Sequence, residues 1–234
     1  SGATTLSDAL TVSGTVSISN SGGIIDLYDN SGYKNVGLGK NVLSSLTTGD
    51  LNTAIGYDSM VNTTTGRANF AGGRETLKNN TTGSYGVAIG ASALYANTTG
   101  DHNTAIGSSA MQYNTTGYSN VAIGSNALNA NTTGYSNVAI GTNALQQTTT
   151  GSDNTAVGRF AGDNNITGSG NVFLGYKAGF GETGSNKLYI SNDSGTNLLY
   201  GNFSTGQLDL GQTSGTVTAL NDFNVDGDAS FDGT

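Results

Sequence analysis

From Gly86 onward the chain repeats one phrase of 17 residues with small edits: GVAIGASALYANTTGDH, NTAIGSSAMQYNTTGYS, NVAIGSNALNANTTGYS, NVAIGTNALQQTTTGSD. The same period can be followed outward in both directions. One glycine closes each xVAIG segment at 39, 56, 73, 90, 107, 124, 141, 158 and 175, and another closes each TTG at 49, 66, 83, 100, 117, 134, 151 and 168. A third column is apolar, with Leu43, Met60, Leu77, Leu94, Met111, Leu128 and Leu145, and it fades to Gly162 and Gly179. Nine rungs therefore share one unbroken register. A fixed period of this kind means that each unit stacks on the next and that no unit owns a core of its own.

Composition agrees only once the period is known. With 35% hydrophobic and 10% charged residues, 37 Gly, and no Pro, Trp or Cys, the chain would otherwise read as low-complexity and disordered. Helix is a poor alternative, because Gly, Asn and Thr dominate and no 3.6-residue periodicity is present. In a strand, Val121 and Ile123 point to one side while Asn120, Ala122 and Gly124 point to the other. Ala127-Leu128 supplies a second short apolar segment, and Asn131-Thr132-Thr133-Gly134 leads the chain back. The expected rung is a coil of two short strands and two turns, burying one Val, one Ile and one Leu. That burial does not offset the entropy of ordering a whole rung, so hydrogen bonds between rungs and contacts with other chains must contribute. Both faces of the VAIG strand lack charge in nearly every rung. We expect the second face to be covered by identical subunits, most simply in a parallel three-fold bundle. At about 4.8 Å per rung, the shaft is about 43 Å long.

The fold class expected is all-β, a parallel β-roll or solenoid of about nine 17-residue rungs, packed or intertwined as a homotrimer and flanked by short β-modules. Residues 1–33 form an N-terminal β-module, in which Leu10, Val12, Val16 and Ile18 alternate around Gly14. The repeat shaft occupies 34–184. The frame is expected to break at Gly184, and residues 185–212 to form a capping β-meander from the runs Leu188–Ile190, Leu198–Phe203 and Gln207–Leu210. Residues 213–234 restate the opening: Phe223 falls on Leu10, Val225 on Val12, Gly227 on Gly14, Ala229 on Val16 and Phe231 on Ile18. A chain that begins at Ser1-Gly2 and ends in the module type with which it starts is expected to be one segment of a longer fibre.

The xVAIG…A(L/M)…TTG rungs resemble the left-handed parallel β-roll heads of trimeric autotransporter adhesins, and look still more like related repeats of bacteriophage tail fibres. The stretch GSNKLYISNDSGTNLLYGNFSTG is similar to the segment that often precedes the self-cleaving chaperone domain of such fibres. The resemblance implies a homotrimer, a host- or surface-facing role outside the cell or on the virion, and a chaperone encoded elsewhere in the gene. Two departures separate the chain from the adhesins: their head repeat is usually shorter than 17 residues, and no coiled-coil stalk, membrane anchor or chaperone domain is seen here.

Residues that could carry chemistry are few. Asp222 to Ser230 fits the first nine positions of a calcium-binding EF-hand loop, but the twelfth holds Gly233 instead of a bidentate Glu, so a plain β-module is expected and no metal. His102 is the only histidine, in a slot that elsewhere holds Lys34, Leu51, Ala68, Tyr85, Ser119, Ser136, Asp153 and Gly170, and is expected to face solvent. Asn97, Asn114 and Asn131 head Asn-x-Thr triplets, better explained by stacked Asn and Thr ladders than by glycosylation. An ice-binding Thr face is disfavoured, because adjacent Thr132 and Thr133 would point to opposite sides. The candidate binding residues are aromatic: Tyr118 and Tyr135 share a slot in successive rungs, and Tyr95 and Tyr113 lie near the preceding turn. Such rings suit carbohydrate or protein surfaces, or simply stack as a ladder.

Net charge is −8, from 8 basic and 16 acidic residues, which argues against nucleic acid and anionic membrane as partners. No apolar run approaches a membrane span. No paired carboxylates recur, so no enzyme, no catalytic residue and no cofactor is expected. The expected function is a structural segment of a trimeric phage tail fibre, a stiff spacer and host-attachment element. Its partners are copies of itself, other fibre segments, and a host surface glycan or protein. The alternative is a bacterial surface adhesin head that binds glycan or matrix directly.

Overall fold

A computed structural model describes residues 35–193, 195 and 197–210. The β-modules expected at 1–33 and 213–234, with the calcium-loop-like stretch, lie outside the described residues. Each rung contributes one three-residue strand: β1 (Val36–Leu38), β2 (Thr53–Ile55), β3 (Phe70–Gly72), β4 (Val87–Ile89), β5 (Thr104–Ile106), β6 (Val121–Ile123), β7 (Val138–Ile140), β8 (Thr155–Val157) and β9 (Val172–Leu174). These pair in parallel and in sequence order, always residue i with residue i+17, as Val121 with Val138 and Ile123 with Ile140. The chain is a parallel β-solenoid of about nine turns.

The second strand expected in each rung is not there. Its place is taken by corners in the left-handed backbone region, and Ser119, Asn126 and Leu128 have φ of 55°, 55° and 51°. All three columns keep this conformation along the shaft, the Leu128 column from Leu43 at 50° to Gly179 at 59°. A closed coil of 17 residues turns too sharply for extended backbone alone, and left-handed residues supply the corners. Rung-to-rung hydrogen bonds continue through them, as when Leu128 N–H donates to the Ala144 carbonyl at 2.9 Å and Asn126 N–H to the Ser108 carbonyl at 3.0 Å.

The core also differs from expectation. Ala54, Ala71, Ala88, Ala105, Ala122, Ala139 and Ala156, the central strand residues, are fully buried, as is the facing Leu column. The flanking Val and Ile point outward: Val121 is half-buried and Ile123 is 37% exposed. The roll is so thin that one large side chain per rung fills it. Leucine supplies that side chain, leaving room for alanine opposite.

Two asparagine ladders fill the rest. Asn137 Nδ2 donates to Asn120 Oδ1 at 3.1 Å and to the Gly151 carbonyl at 2.8 Å, and the Asn137 N–H also donates to Asn120 Oδ1. The second ladder joins Asn131 to Asn114 at 2.6 Å, Asn114 to Asn97 at 2.7 Å and Asn97 to Asn80 at 2.9 Å. A threonine ladder runs beside it, each hydroxyl donating to a carbonyl one rung on, as Thr115 to Thr132 at 2.9 Å. The expected stacked ladders are thus present, and they satisfy the buried polar groups that a small apolar core cannot accommodate. Where Thr63 and Thr148 replace asparagine, the second ladder stops. Thr148 Oγ1 turns to the Asn165 carbonyl, and two buried oxygens, Thr63 Oγ1 and Asn131 Oδ1, are left without a hydrogen bond.

The fading of the leucine column has a steric counterpart. Phe173 replaces the strand alanine at 0% exposure. A Cβ built at Gly162 or Gly179 would lie 2.4 or 2.2 Å from the Phe173 ring. One large ring thus occupies the space of two leucines. The 17-residue frame loses one residue at this end but does not stop at Gly184. Strand β10 (Lys187–Ser191) still pairs in parallel with β9, Leu188 opposite Val172, and only then do β11 (Asn197–Asn202) and β12 (Gln207–Leu210) add antiparallel. Tyr189 packs at 5.9 Å from Phe173, and its hydroxyl donates to Glu182 Oε2 at 2.6 Å.

Candidate functional site

What the strands leave outside is a continuous apolar stripe. Its two columns run Val36, Thr53, Phe70, Val87, Thr104, Val121, Val138, Thr155, Val172 and Leu38, Ile55, Gly72, Ile89, Ile106, Ile123, Ile140, Val157, Leu174. No charged residue stands in either column. The stripe is also levelled. At the one rung where the second column holds glycine, the first holds Phe70, whose ring lies over it: a Cβ at Gly72 would meet Phe70 Cε1 at 3.4 Å. The period-2 alternation revealed two apolar faces but not which of them stays outside.

Of the four candidate tyrosines, the structure joins two. The rings of Tyr118 and Tyr135 stack at 5.1 Å with planes 6° apart. Their facing surfaces are spent on each other, so the pair offers outer faces, edges and hydroxyls. Tyr113 is 53% exposed, and Tyr95 is half-buried with the Lys78 ammonium 5.8 Å from its ring. No ring contact brings either to Tyr118 or Tyr135 among the described residues. One stack the sequence reading missed is Tyr85 on His102, at 4.8 Å and 15°. Their spacing of 17 was the available signal. His102 is exposed, with φ of 57°.

Charge gathers near the first rungs. Lys78 Nζ donates to Asp58 Oδ2 at 3.0 Å and Glu75 Oε1 at 2.9 Å, while Asn41 Nδ2 donates to Asp58 Oδ1 at 2.9 Å. The Asn41 amide and then Lys78 hold the Asp58 carboxyl below its usual range, and Glu75 and Asp58 push the Lys78 ammonium up. A lysine so firmly protonated is a structural tie and not a nucleophile. At the other end, burial raises the Glu182 carboxyl, but the Tyr189 hydroxyl and the Gly184 and Thr183 amides outweigh it and leave the group low. Burial, then Glu182, pushes the Tyr189 hydroxyl up. Among the described residues, no three His, Cys, Asp or Glu side chains lie together as a metal site would require, and no helix is long and apolar enough to cross a membrane.

Asp163 is the one acid that the shaft penalises. It is 6% exposed, its Oδ1 has no hydrogen-bond partner, and burial raises its carboxyl, partly offset by the Gln147 amide. Because the folded state disfavours the charged form, this group lowers stability as pH rises through the ordinary aspartate range, and has no such effect below it. Asp163→Asn should therefore raise the thermal midpoint at pH 7 and lose that advantage below about pH 3. Thermal unfolding of both chains across this range checks it, and an unchanged difference at low pH counts against the titration.

Searched against family models, curated proteins and solved structures, the chain matches none.

Proposed function

We propose that this chain is a structural segment of a homotrimeric phage tail fibre, displayed on the virion surface as a stiff spacer and host-attachment element. The observation that carries the reading is the outward stripe of Val and Ile, uncharged and level over all nine parallel strands. The interior already has its own core of Ala, Leu and Asn, so the stripe serves no purpose within one chain. Phe70 folded over Gly72 is the kind of volume compensation that a packed surface needs and a solvated one does not. Contiguous apolar patches of this extent mark contacts with other proteins. A strand face that repeats identically along the axis is self-complementary for parallel copies, which can align rung to rung. Stiffness follows from the ladders, because bending the shaft would open hydrogen bonds on every rung. The attachment role draws on the exposed aromatic residues of the corners.

Light scattering on the purified chain should give three times the monomer mass. Ile123→Lys with Ile140→Lys, which puts charge on the stripe without touching the core, should reduce it to the monomer mass while keeping the β-sheet circular dichroism. A wild-type chain that is monomeric at micromolar concentration refutes the trimer.

A further inference from the structure

Two neighbouring corner columns, the residue after each xVAIG glycine and the one following it, can be compared directly at two places on the shaft. In the second and third rungs they hold Tyr57-Asp58 and Arg74-Glu75, and each cation has an acid at hand: Arg74 Nη1 lies 2.7 Å from Glu75 Oε2. In the eighth and ninth rungs the same columns hold Arg159-Phe160 and Tyr176-Lys177. The two acid positions have become a ring and a second cation.

The result is a small checkerboard of rings and charges. The Arg159 guanidinium sits 5.0 Å from the Phe160 ring centroid and 4.8 Å from that of Tyr176. Lys177 Nζ sits 5.4 Å from Tyr176 and 5.5 Å from Phe180. Phe180 meets Phe160 edge to face at 6.3 Å. Neither Arg159 nor Lys177 makes a side-chain hydrogen bond or ion pair with any described residue, whereas Arg67 and Arg74 each face a carboxylate. Phe160 has φ of 61°, in a column otherwise filled largely by Asn, Asp and Ser. A bulky aromatic in that backbone region is strained, and strain of this kind gathers at ligand sites.

A guanidinium lying against rings spends its faces on them and keeps its in-plane N–H donors, already oriented, for a planar anion. A carboxylate matches that fork with two parallel hydrogen bonds, and Lys177 adds a second positive charge. The three rings beside it supply apolar area for the C–H face of a sugar. Two cations on a chain of net charge −8 suit a ligand with isolated negative charges and not a continuous polyanion.

We propose that Arg159 and Lys177, set on the rings of Phe160, Tyr176 and Phe180, form a binding site for the carboxylate of an acidic saccharide. The site gives the attachment role proposed above a ligand class and rests on that reading for its biological setting, but it uses no residue of the Val/Ile stripe.

Saturation-transfer NMR on the whole chain tests it, with glucuronate and N-acetylneuraminate as probes, their methyl esters as neutral counterparts, and acetate as the bare anion. At least one acid sugar should bind at least about tenfold more tightly than its ester and than acetate. Arg159→Gln with Lys177→Gln should remove that preference, and Arg159→Lys, which keeps the charge but not the fork, should weaken it. Tyr176→Ala should weaken the sugar and leave acetate unchanged. The proposal is overturned if neither acid sugar binds, if acetate binds as well as they do, or if the double variant binds like wild type at an unchanged thermal midpoint. Solution mass is measured on the same samples. A monomer that still binds sinks the fibre reading and keeps the site, while a trimer that binds nothing does the reverse.

Discussion

Gly124→Ala is expected to destabilise the chain by about 3–5 kcal/mol, far more than a methyl group on a coil corner suggests. Gly124 has φ of +131°, a region that side chains avoid. The added Cβ would lie 2.6 Å from the carbonyl carbon of Gly141, 2.7 Å from its oxygen and 3.0 Å from the Thr142 nitrogen. All three are backbone atoms of the next rung, held by that rung's own hydrogen bonds, so no rotamer change can make room. Relief requires the rungs to part, which would loosen the Gly124 N–H bond to the Ile106 carbonyl at 2.8 Å and the adjoining strand pair. For a chain of this size a loss of that order lowers the thermal midpoint by about 10–15 °C. Ser125→Ala, one residue on and exposed, should change stability by less than about 0.5 kcal/mol. Urea unfolding of the two variants makes the comparison. A Gly124→Ala chain within 1 kcal/mol of wild type would mean that the rungs are not stacked as closely as described.

The glycine column also shows which parts of this fold were legible in the sequence. Anything set by stacking was, because stacking repeats: the parallel order, the pairing of i with i+17, the Asn and Thr ladders, and the Tyr118–Tyr135 stack all follow from the period. What the period cannot convey is direction. VAIG alternates whichever face is inside, and the larger Val and Ile seemed the natural core. They are excluded because Leu128 and its equivalents already fill the thin interior, a fact about the opposite wall that the strand itself does not carry. The backbone of the second apolar segment was hidden for a related reason. Asn126, Asn143 and Asp58 are residues that tolerate left-handed corners, but Leu128 at φ 51° is not, and its apolar character suggested a strand. The Arg159 site was hardest to see, because its signal is a missing acid. It becomes visible only when the columns are compared across rungs and the structure shows what the guanidinium touches.

Phe173→Ala should cost about 3–5 kcal/mol, the range for truncating a buried ring to a methyl group. The same substitution should cost much less where Gly162 and Gly179 have both become leucine. In the seven rungs from Leu43 to Leu145 the interior pairs a small strand residue with a large corner residue, and at Phe173 the assignment is reversed. Gly162 and Gly179 have φ of 61° and 59°, close to the 47–52° of the leucines and methionines in that column, so leucine meets no new backbone demand there. With Phe173 present, however, either leucine drives its Cβ into the ring, and Gly162 is further confined by Leu145 Cδ2 at 2.8 Å. Each change alone therefore destabilises, Phe173→Ala by a cavity and the glycine changes by overlap, whereas all three together rebuild the interior of the other rungs. The expected coupling is at least about 2 kcal/mol in favour of the triple variant. Unfolding free energies of wild type, Phe173→Ala, the double leucine variant and the triple variant measure it directly. Losses that simply add would mean that the ring and the two glycines do not share one space. A strong coupling would show that this shaft conserves the volume of its interior and not the residue in any one column, which is why its register survives the fading of the leucines.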